Sequence, residues 1–329
     1  MKKSFNYLLI TTSVVTAMLL FIGCSEEEDP NAEIEERLEA QILEIENYLA
    51  DNGIAKNNVN GYYLEPIVQN EDGEAPGTND VVGIYYELLT LDGQLIERLE
   101  ESQNSEPAKF LFVPNRIFLP GALYEVVSNM REGEEVRTYL PFNTAYGAFS
   151  IQNKLPAYSA VIMKVKLAEV LSEEEQKRAE DARIKAYLAE NGFTSADSLE
   201  GGVYYAETQA GETPEVEANS TVQLRYTGTF LDGTEFDSNT DAAQAFPVDM
   251  SQNRVISGFK TAISEMSLNE QGTAIIPSHE AYGIGYFAMP YELMEDLYYQ
   301  RFIPQDEGAY ITIKPYSILR FDLEVEAIN

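Results

Sequence analysis

Residues 222–237 have the sequence VQLRYTGTFLDGTEFD, and their pattern predicts the local fold. From Val222 to Tyr226 hydrophobic and polar residues alternate, as they do in a strand that buries one face. Asp232-Gly233 then predicts a tight turn, and Phe236 follows on the returning strand. The stretch therefore predicts a β-hairpin.

The closing strand of the chain shows the clearest alternation. From Leu319 to Val325 hydrophobic and charged residues take turns, and Val161 to Leu167 is the counterpart in the first half. Other short stretches also occur twice, in the same order and at a nearly constant offset: Asn47 to Gly53 and Lys185 to Gly192, Leu91 to Gly93 and Leu231 to Gly233, and Ala145 to Gly147 and Ala281 to Gly283. This order indicates a tandem duplication.

Each half begins with a predicted helix. In the first helix, hydrophobic residues recur three or four positions apart from Ile34 to Leu49, and Gly53 suits a C-terminal cap. The second helix starts with a capping box at Ser172 and Glu175. Because this helix connects the two halves, we expect it to act as a semi-rigid spacer.

One short helix is predicted within each half, over residues 121–130 and 258–266. Such a helix can cover the apolar face of an antiparallel sheet. The elements together indicate an α+β fold.

Composition narrows the classes of function. The chain has 329 residues, with 22 Lys plus Arg, 55 Asp plus Glu and a formal net charge of −33. A chain this acidic repels nucleic acid, so we expect no nucleic-acid partner. One Cys and one His, Cys24 and His279, provide neither an intrachain disulfide nor a Cys/His zinc cluster. We expect His279 to be an exposed loop residue.

The N-terminus predicts a lipoprotein signal peptide over residues 1–23. Lys2 and Lys3 precede an apolar run that ends in Gly23-Cys24. The pattern resembles the lipobox of bacterial lipoproteins, which implies that Cys24 is lipidated. An uncleaved membrane helix is the alternative, although the apolar run is short and interrupted.

Ser25 and the four acidic residues Glu26 to Asp29 follow directly. They resemble the signal that sends some lipoproteins to the outer face of the outer membrane, and a solvated spacer is the equal alternative. We therefore expect a lipid-anchored protein of the cell envelope, at the outer membrane, on its periplasmic or surface face. Its bilayer contact is the acylated Cys24, since no basic patch supports attachment.

In combination and order, four pieces of the second half resemble the FKBP-type peptidyl-prolyl isomerases. They are residues 222–237, Arg254 to Phe259, Glu280 to Gly283 and Pro315 to Val325. The resemblance implies two FKBP-like domains, each an antiparallel half-barrel sheet wrapped around a short helix, joined by an α-helical linker. It also implies an apolar catalytic pocket in the second domain, lined by Tyr226, Phe236, Asp237, Phe246, Val255, Ile256, Phe259, Tyr282, Ile313 and Phe321. Phe259 stands where the family usually has Trp.

Prolyl isomerisation suits a chain without a Cys- or His-centred site. Rotation of the prolyl amide loses its resonance, with a barrier of about 18–20 kcal/mol, and needs no nucleophile, metal or organic cofactor. A dry apolar pocket favours the less dipolar twisted amide. In the site implied by the resemblance, the Tyr282 hydroxyl and the Ile256 N–H are the donors. Asp237 holds Tyr226 or orients the twisted carbonyl.

The first half carries an altered version of the same pocket. The corresponding residues are Tyr86, Ile96, Glu97, Phe110, Phe118, Leu119, Tyr146 and Met163, with Ala122 in place of Phe259. Three aromatic walls are thus replaced by smaller side chains, and Thr227-Gly228 becomes Glu87-Leu88. We therefore expect a binding or scaffold domain that is weak or inactive as an isomerase.

The second half contains an aromatic insertion at residues 284–311, longer than the usual loop of the family. It has Tyr286, Phe287, Tyr291, Tyr298, Tyr299, Phe302 and Tyr310. The insertion predicts either a lid or extended surface for partner chains, or a small satellite core packed on its own domain.

The predicted organisation follows from these features. It comprises a signal peptide over 1–23, a lipidated tether and acidic helix over 24–56, a first FKBP-like domain over 57–171, a linker helix over 172–200 and a second FKBP-like domain over 201–329. The predicted function is prolyl isomerisation of proline-containing client polypeptides and help with their folding in the envelope. The alternatives are a non-catalytic binding or chaperone lipoprotein of an envelope assembly and, more distantly, a glycan-binding lipoprotein.

Overall fold

The computed structural model describes residues 30–102, 105–114, 118–304 and 308–329. The predicted signal peptide, Cys24 and the acidic residues after it lie outside these ranges. Within them, no helix is both long enough and apolar enough to cross a bilayer.

The first unit is a helix followed by an antiparallel sheet. Helix α1 spans Pro30–Asp51. The next elements are β1 (Asn58–Val59), β2 (Tyr62–Val68), β3 (Val81–Thr90), β4 (Leu95–Leu99), β5 (Ala108–Leu111), β6 (Phe118–Leu119), α2 (Leu123–Ser128), β7 (Glu135–Leu140) and β8 (Val161–Leu171). The sheet has the strand order β1-β2-β7-β8-β3-β4, with β5 also paired to β3.

The second unit repeats this plan. Its elements are α3 (Glu173–Glu190), β9 (Asp197–Ser198), β10 (Tyr204–Gln209), β11 (Glu212–Glu215), β12 (Thr221–Phe230), β13 (Glu235–Asn239), β14 (Phe246–Asp249), α4 (Ser257–Ile263), β15 (Ser267–Leu268), β16 (Gln271–Ile276), β17 (Phe287–Ala288), α5 (Leu293–Tyr299) and β18 (Leu319–Ile328). Short 3-10 turns lie at Glu200–Gly202, Ala242–Gln244, Ser278–Glu280 and Gly308–Ile311. The sheet order is β13-β12-β18-β16-β10-β9, with β14 paired to β12.

The predicted hairpin is confirmed. Strands β12 and β13 pair antiparallel, with Gly228 opposite Asp237. In the first unit, β3 and β4 form the same hairpin, with Leu88 opposite Glu97. Residues of β18 alternate between buried and partly buried positions, as its sequence predicts.

The short helix predicted within each unit packs against one face of its sheet, and the leading helix packs against the other face. Leu123, Val126 and Val127 of α2 are buried in the first core, and Phe259 and Ile263 of α4 are buried in the second. The leading helices pack elsewhere: α1 contributes to a small cluster with Tyr139 of β7, and α3 to one with Ile275 of β16. The fold is therefore α+β, with two FKBP-like regions, as predicted.

Helix α3 differs from the expected spacer. Its capping box forms, because the Ser172 hydroxyl accepts from the Glu175 N–H at 3.3 Å and the Glu175 carboxylate accepts from the Ser172 N–H. However, Glu180 is 1% exposed and accepts two hydrogen bonds from Ser278 of the second unit. On the other side, Lys109 of β5 donates to Gln176 at 2.9 Å. The helix is therefore packed between the units instead of spanning free solvent.

The insertion also differs from both expectations. We use the name crossing segment for residues 287–303. Its strand β17 pairs parallel with β6 of the first unit, with Phe287 opposite Phe118 and Ala288 opposite Leu119. Seven of its side chains are buried in the core of the first unit: Phe287, Ala288, Met289, Leu293, Met294, Leu297 and Ile303.

The crossing segment is thus neither a lid over the second pocket nor a satellite core of its own domain. The physical reason lies in the side chains of the segment itself. Its large apolar residues are buried in the core of the first unit, which also contains Ile96, Ala122 and Met163, and burying each large apolar side chain stabilises the packing by about 1.5–3 kcal/mol. Among the described residues, three X-Pro peptide bonds are cis: Leu119–Pro120, Thr213–Pro214 and Met289–Pro290.

Candidate functional site

The second unit places a hydrogen-bonded Tyr–Asp pair beside a group of phenylalanine rings. We use the name aromatic cleft for the surface formed by Tyr226, Phe236, Phe246, Phe259 and Phe321. Tyr226 of β12 donates its hydroxyl to Asp237 Oδ2 of β13 at 2.7 Å. The register of the hairpin brings the pair together, because Asp237 lies opposite Gly228, two residues after Tyr226. Burial, and next the carboxylate of Asp237, raises the pKa of Tyr226 above its usual value. The phenol therefore stays protonated at neutral pH and remains a donor.

Three phenylalanines pack against the ring of this tyrosine, and a fourth, Phe236, packs against one of them. The ring centroid of Tyr226 lies 5.6 Å from that of Phe246, 5.8 Å from Phe259 and 6.1 Å from Phe321. Phe321 in turn contacts Phe236 at 5.5 Å and Phe259 at 4.9 Å, with steep interplanar angles. Edge-to-face pairs of this kind hold rings in defined orientations. The walls of the cleft are therefore shaped by aromatic packing.

Gly228 makes room for this arrangement. A Cβ atom added at Gly228 would lie 2.7 Å from Cζ of Phe236 and 2.9 Å from Cε1 of Phe321. Both rings thus rest against the backbone of β12. The first unit has Leu88 at this position, fully buried, and it lacks both rings.

All ten residues predicted for the second pocket come together. Phe259, Ile313 and Phe321 are buried in one cluster. Six more are partly buried against this cluster: Tyr226, Phe236, Phe246, Val255, Ile256 and Tyr282. Asp237 is connected to the cluster by its hydrogen bond with Tyr226. The buried members form a floor and the partly buried ones a rim that solvent reaches. His279 is exposed, as expected.

Sequence reasoning missed Phe230. Its ring lies 5.2 Å from that of Phe236 and extends the aromatic wall along β12. The alternation along the strand could have predicted this position, because residues 226, 228 and 230 share one face.

The first unit repeats the Tyr–carboxylate pair with a longer acid. Tyr86 donates its hydroxyl to Glu97 Oε2 at 2.7 Å. Burial and the adjacent Glu97 raise the pKa of Tyr86. The predicted replacements Ile96 and Met163 are buried with Leu88 in the core of the first unit.

One residue of the first pocket was assigned to the wrong position. Phe246 pairs with Leu224, whereas the corresponding residue Ile84 pairs with Ala108. Phe110 lies two residues further along and pairs with Val82. The structural counterpart of Phe246 is therefore Ala108, and because the shift is two residues, Phe110 lies on the same face of its strand. The side chain of Phe118 lies outside the described part of the chain.

The Tyr146 hydroxyl in the first pocket already has an acceptor. Tyr146 is buried, and its hydroxyl donates to the main-chain carbonyl of Met289 in the crossing segment. Leu119 also contacts the segment, because its carbonyl accepts from the Met289 N–H at 2.9 Å. The ring of Phe287 stacks on Phe110 at 4.8 Å. The first pocket is therefore filled, while the rim of the second faces solvent.

A family model matches both units of the chain. The model for FKBP-type peptidyl-prolyl cis-trans isomerases matches residues 72–168 and 212–326. The chain belongs to the FKBP-type peptidyl-prolyl cis-trans isomerase family. The two matched ranges contain both Tyr–carboxylate pairs, so each FKBP-like region has its own copy of the site.

Relatives in the family cover parts of the chain. It is 32% identical over 136 residues to the FKBP-type peptidyl-prolyl cis-trans isomerase FkpA of Aeromonas hydrophila, covering 40% of this chain and 48% of that protein. It is 31% identical over 108 residues to FK506-binding protein 1 of Debaryomyces hansenii, covering 33% of this chain and 77% of that protein. The chain thus spans about half the length of the Aeromonas protein.

Solved FKBP structures also align with the chain. The three FKBP domains of wheat FKBP73 match with a TM-score of 0.32 and 17% identity, over 82% of this chain and 94% of that one. FkpA from Escherichia coli matches with a TM-score of 0.34 and 22% identity, over 47% of this chain and 62% of that one.

Proposed function

We propose that the chain catalyses cis-trans isomerisation of prolyl peptide bonds at the aromatic cleft of the second domain. The observation that carries the proposal is the Tyr226–Asp237 hydrogen bond at the rim of a cleft floored by Phe259 and Phe321. This arrangement joins an apolar floor to oriented polar groups. A prolyl ring and the adjacent carbonyl require those two features.

Desolvation supplies part of the rate acceleration. The planar prolyl amide is stabilised by resonance, with a rotation barrier of about 18–20 kcal/mol. The twisted amide is less dipolar, so it loses less than the planar form when it leaves water for a cleft walled by Phe236 and Phe321. The cleft therefore binds the transition state more tightly than the ground state.

Polar groups at the rim orient the peptide. In this proposal the Tyr282 hydroxyl and the Ile256 N–H donate to carbonyls of the turned peptide, while Asp237 holds Tyr226 against the floor. No proton is transferred, since the reaction only rotates a bond. The rate is then expected to change little with pH around neutrality.

The test is prolyl isomerisation of a short peptide, measured by exchange NMR without a coupling protease. The protein is the piece from residue 30 to residue 329, which keeps the crossing segment in the first unit. We expect acceleration by this piece and a loss of at least about tenfold in Asp237→Leu and in Tyr282→Phe.

A matched substitution assigns the activity to a domain. Glu97→Leu makes the same change at the corresponding carboxylate, and it measures the share supplied by the first domain, which we expect to be small. Loss of activity in Glu97→Leu but not in Asp237→Leu would place catalysis in the first domain. A folded protein without acceleration would leave a binding protein in place of an enzyme.

The proposed cellular role is folding of proline-containing polypeptides in the bacterial cell envelope. The support is the lipobox-like end at Cys24 and the acidic residues after it. Lipidation of the wild-type chain, absent in Cys24→Ala, is the expected result of labelling cells with a clickable fatty acid. Equal labelling of the variant would contradict the anchor.

A further inference from the structure

The crossing segment occupies the position of a ligand in the first domain. We infer that the first domain is a peptide-binding domain whose pocket is held shut in cis by residues 287–290, which act as an internal ligand. The second domain is then the one open to external peptides. This inference concerns a different site from the proposed catalytic cleft.

The main chain of the segment binds as an added strand. Phe287–Ala288 runs parallel to Phe118–Leu119, and the Met289 N–H donates to the Leu119 carbonyl at 2.9 Å. Leu119 corresponds to Ile256 of the second site. Strand addition is a common way in which domains capture extended peptides, since main-chain hydrogen bonds provide affinity for many sequences.

The hydrogen bond from Tyr146 has the geometry of peptide recognition. Tyr146 corresponds to Tyr282, which the proposed mechanism assigns as a donor to a substrate carbonyl. In the first domain this donor is buried and bonded to the Met289 carbonyl, the carbonyl that precedes Pro290. The pocket thus presents its tyrosine to the carbonyl of an X-Pro bond.

Side chains of the segment match the altered walls. The Phe287 ring stacks on Phe110, and Met289 is fully buried in the first core. Residues 287–290 carry no charge. Beyond them, Glu292 pairs with Lys154 at 3.2 Å on the surface. The ligand class is therefore an extended, uncharged segment with an aromatic residue three positions before proline and an acid two positions after it.

Tethering explains why the pocket stays closed. A covalently linked segment acts at an effective concentration in the millimolar range, so an external peptide of equal affinity at micromolar concentration is outcompeted about a thousandfold. The α5 helix strengthens the tether, because Leu293, Met294 and Leu297 are also buried in the first core.

The experiment counts peptide sites by calorimetric titration. The ligand is a synthetic peptide with the sequence of residues 284–292, and the protein is the piece from residue 30 to residue 329. We expect one site on the unaltered protein, in the second domain. We expect two sites on Phe287→Asp/Met289→Asp, because a carboxylate is expelled from an apolar pocket.

The control is Tyr299→Asp, in the same segment at a side chain that is 70% exposed. It should leave the count at one. Two sites on the unaltered protein, or no new site on a folded double variant, would overturn the inference. A count that rises from zero to one would instead support it and remove the second cleft from the proposed function.

If the double variant does not fold, hydrogen exchange of the unaltered protein tests whether residues 287–290 occupy the first pocket. In the unaltered protein, the amides of residues 287–289 should be protected as strongly as those of β3 and β8, and Tyr146→Phe should speed their exchange selectively. Fast exchange of residues 287–289 beside a protected sheet would overturn the inference.

Discussion

At the scale of single residues, Gly228 decides whether the cleft exists. Its missing side chain lets Phe236 and Phe321 rest on the strand, where a Cβ atom would overlap both rings. In the first unit Leu88 occupies this position, and both rings are absent. The exchange of Gly228 for Leu88 is thus one difference between the second site and the first.

The substitution Gly228→Ala should therefore destabilise the second domain. We expect a loss of about 1–3 kcal/mol in the free energy of unfolding, because overpacking displaces the rings, together with slower prolyl isomerisation. Urea unfolding and the peptide assay measure the two effects. Thr227→Ala, on the opposite face of the strand, is the control and should change neither strongly. An unaltered rate in Gly228→Ala would show that the rings do not shape the catalytic surface.

Buried tyrosines make stability depend on alkaline pH. Burial raises the pKa of Tyr62 to about 12 and the pKa of Tyr139 to about 12. In the unfolded chain a tyrosine loses its proton near pH 10, whereas these two retain it in the folded protein. Their contribution to stability is thus complete below about pH 10 and is lost as the pH rises toward 12.

The midpoint of urea unfolding should accordingly be lower at pH 11 than at pH 9. Tyr62→Phe should reduce this difference, since phenylalanine does not ionise. The Tyr62 hydroxyl has no hydrogen-bond partner among the described residues, so its removal should not weaken the protein at pH 7. A pH dependence unchanged by the substitution would contradict the assignment to Tyr62.

At the scale of elements, α3 joins the units through a buried polar network. Glu180 accepts from the Ser278 N–H at 2.8 Å and from the Ser278 hydroxyl at 2.6 Å. Gln176 donates to the same carboxylate and accepts from Lys109. The network runs from β5 of the first unit, through one face of α3, to the turn that precedes Tyr282.

Replacing Glu180 with Ala should leave buried donors of Ser278 without their acceptor. We expect a loss of about 1–3 kcal/mol in the free energy of unfolding, measured by urea titration. Glu174→Ala on the exposed face of the same helix is the control and should change it by less than about 0.5 kcal/mol. Equal effects of the two substitutions would show that the network contributes nothing specific.

At the scale of the whole molecule, the crossing segment couples the two units. It belongs to the second unit by sequence, but its buried side chains complete the core of the first. Without the segment, the first unit therefore lacks part of its core. A protein cut between the units would expose these apolar side chains, so both units belong together in any assay.

We expect the two units to unfold in a single calorimetric transition. Leu297→Ala, in the second unit, should lower the free energy of this joint unfolding by about 2–5 kcal/mol, because it leaves a cavity in the core of the first unit. Tyr299→Ala, exposed on the same helix, is the control. Two separate transitions, with the first unaffected by Leu297→Ala, would show that the segment does not couple the units.

The sequence by itself determined the local elements. Alternation along β12 and β18, the turn at Asp232-Gly233 and the capping box at Ser172 each depend on neighbouring residues, so they were predictable. A family resemblance supplies the ten residues predicted for the second pocket, and they lie together in the structure. Phe110 is placed two residues from the true counterpart of Phe246, because a shift of two residues keeps a side chain on the same face and leaves the strand pattern unchanged.

Only the tertiary structure decided where the insertion lies and which pocket stays open. Tyr146 and Met289 are 143 residues apart in the chain, and no periodicity of either segment refers to the other. Their contact depends on how the side chains of the segment pack among those of the first core. Such complementarity is a property of packed surfaces, so it becomes visible only when both units are folded together.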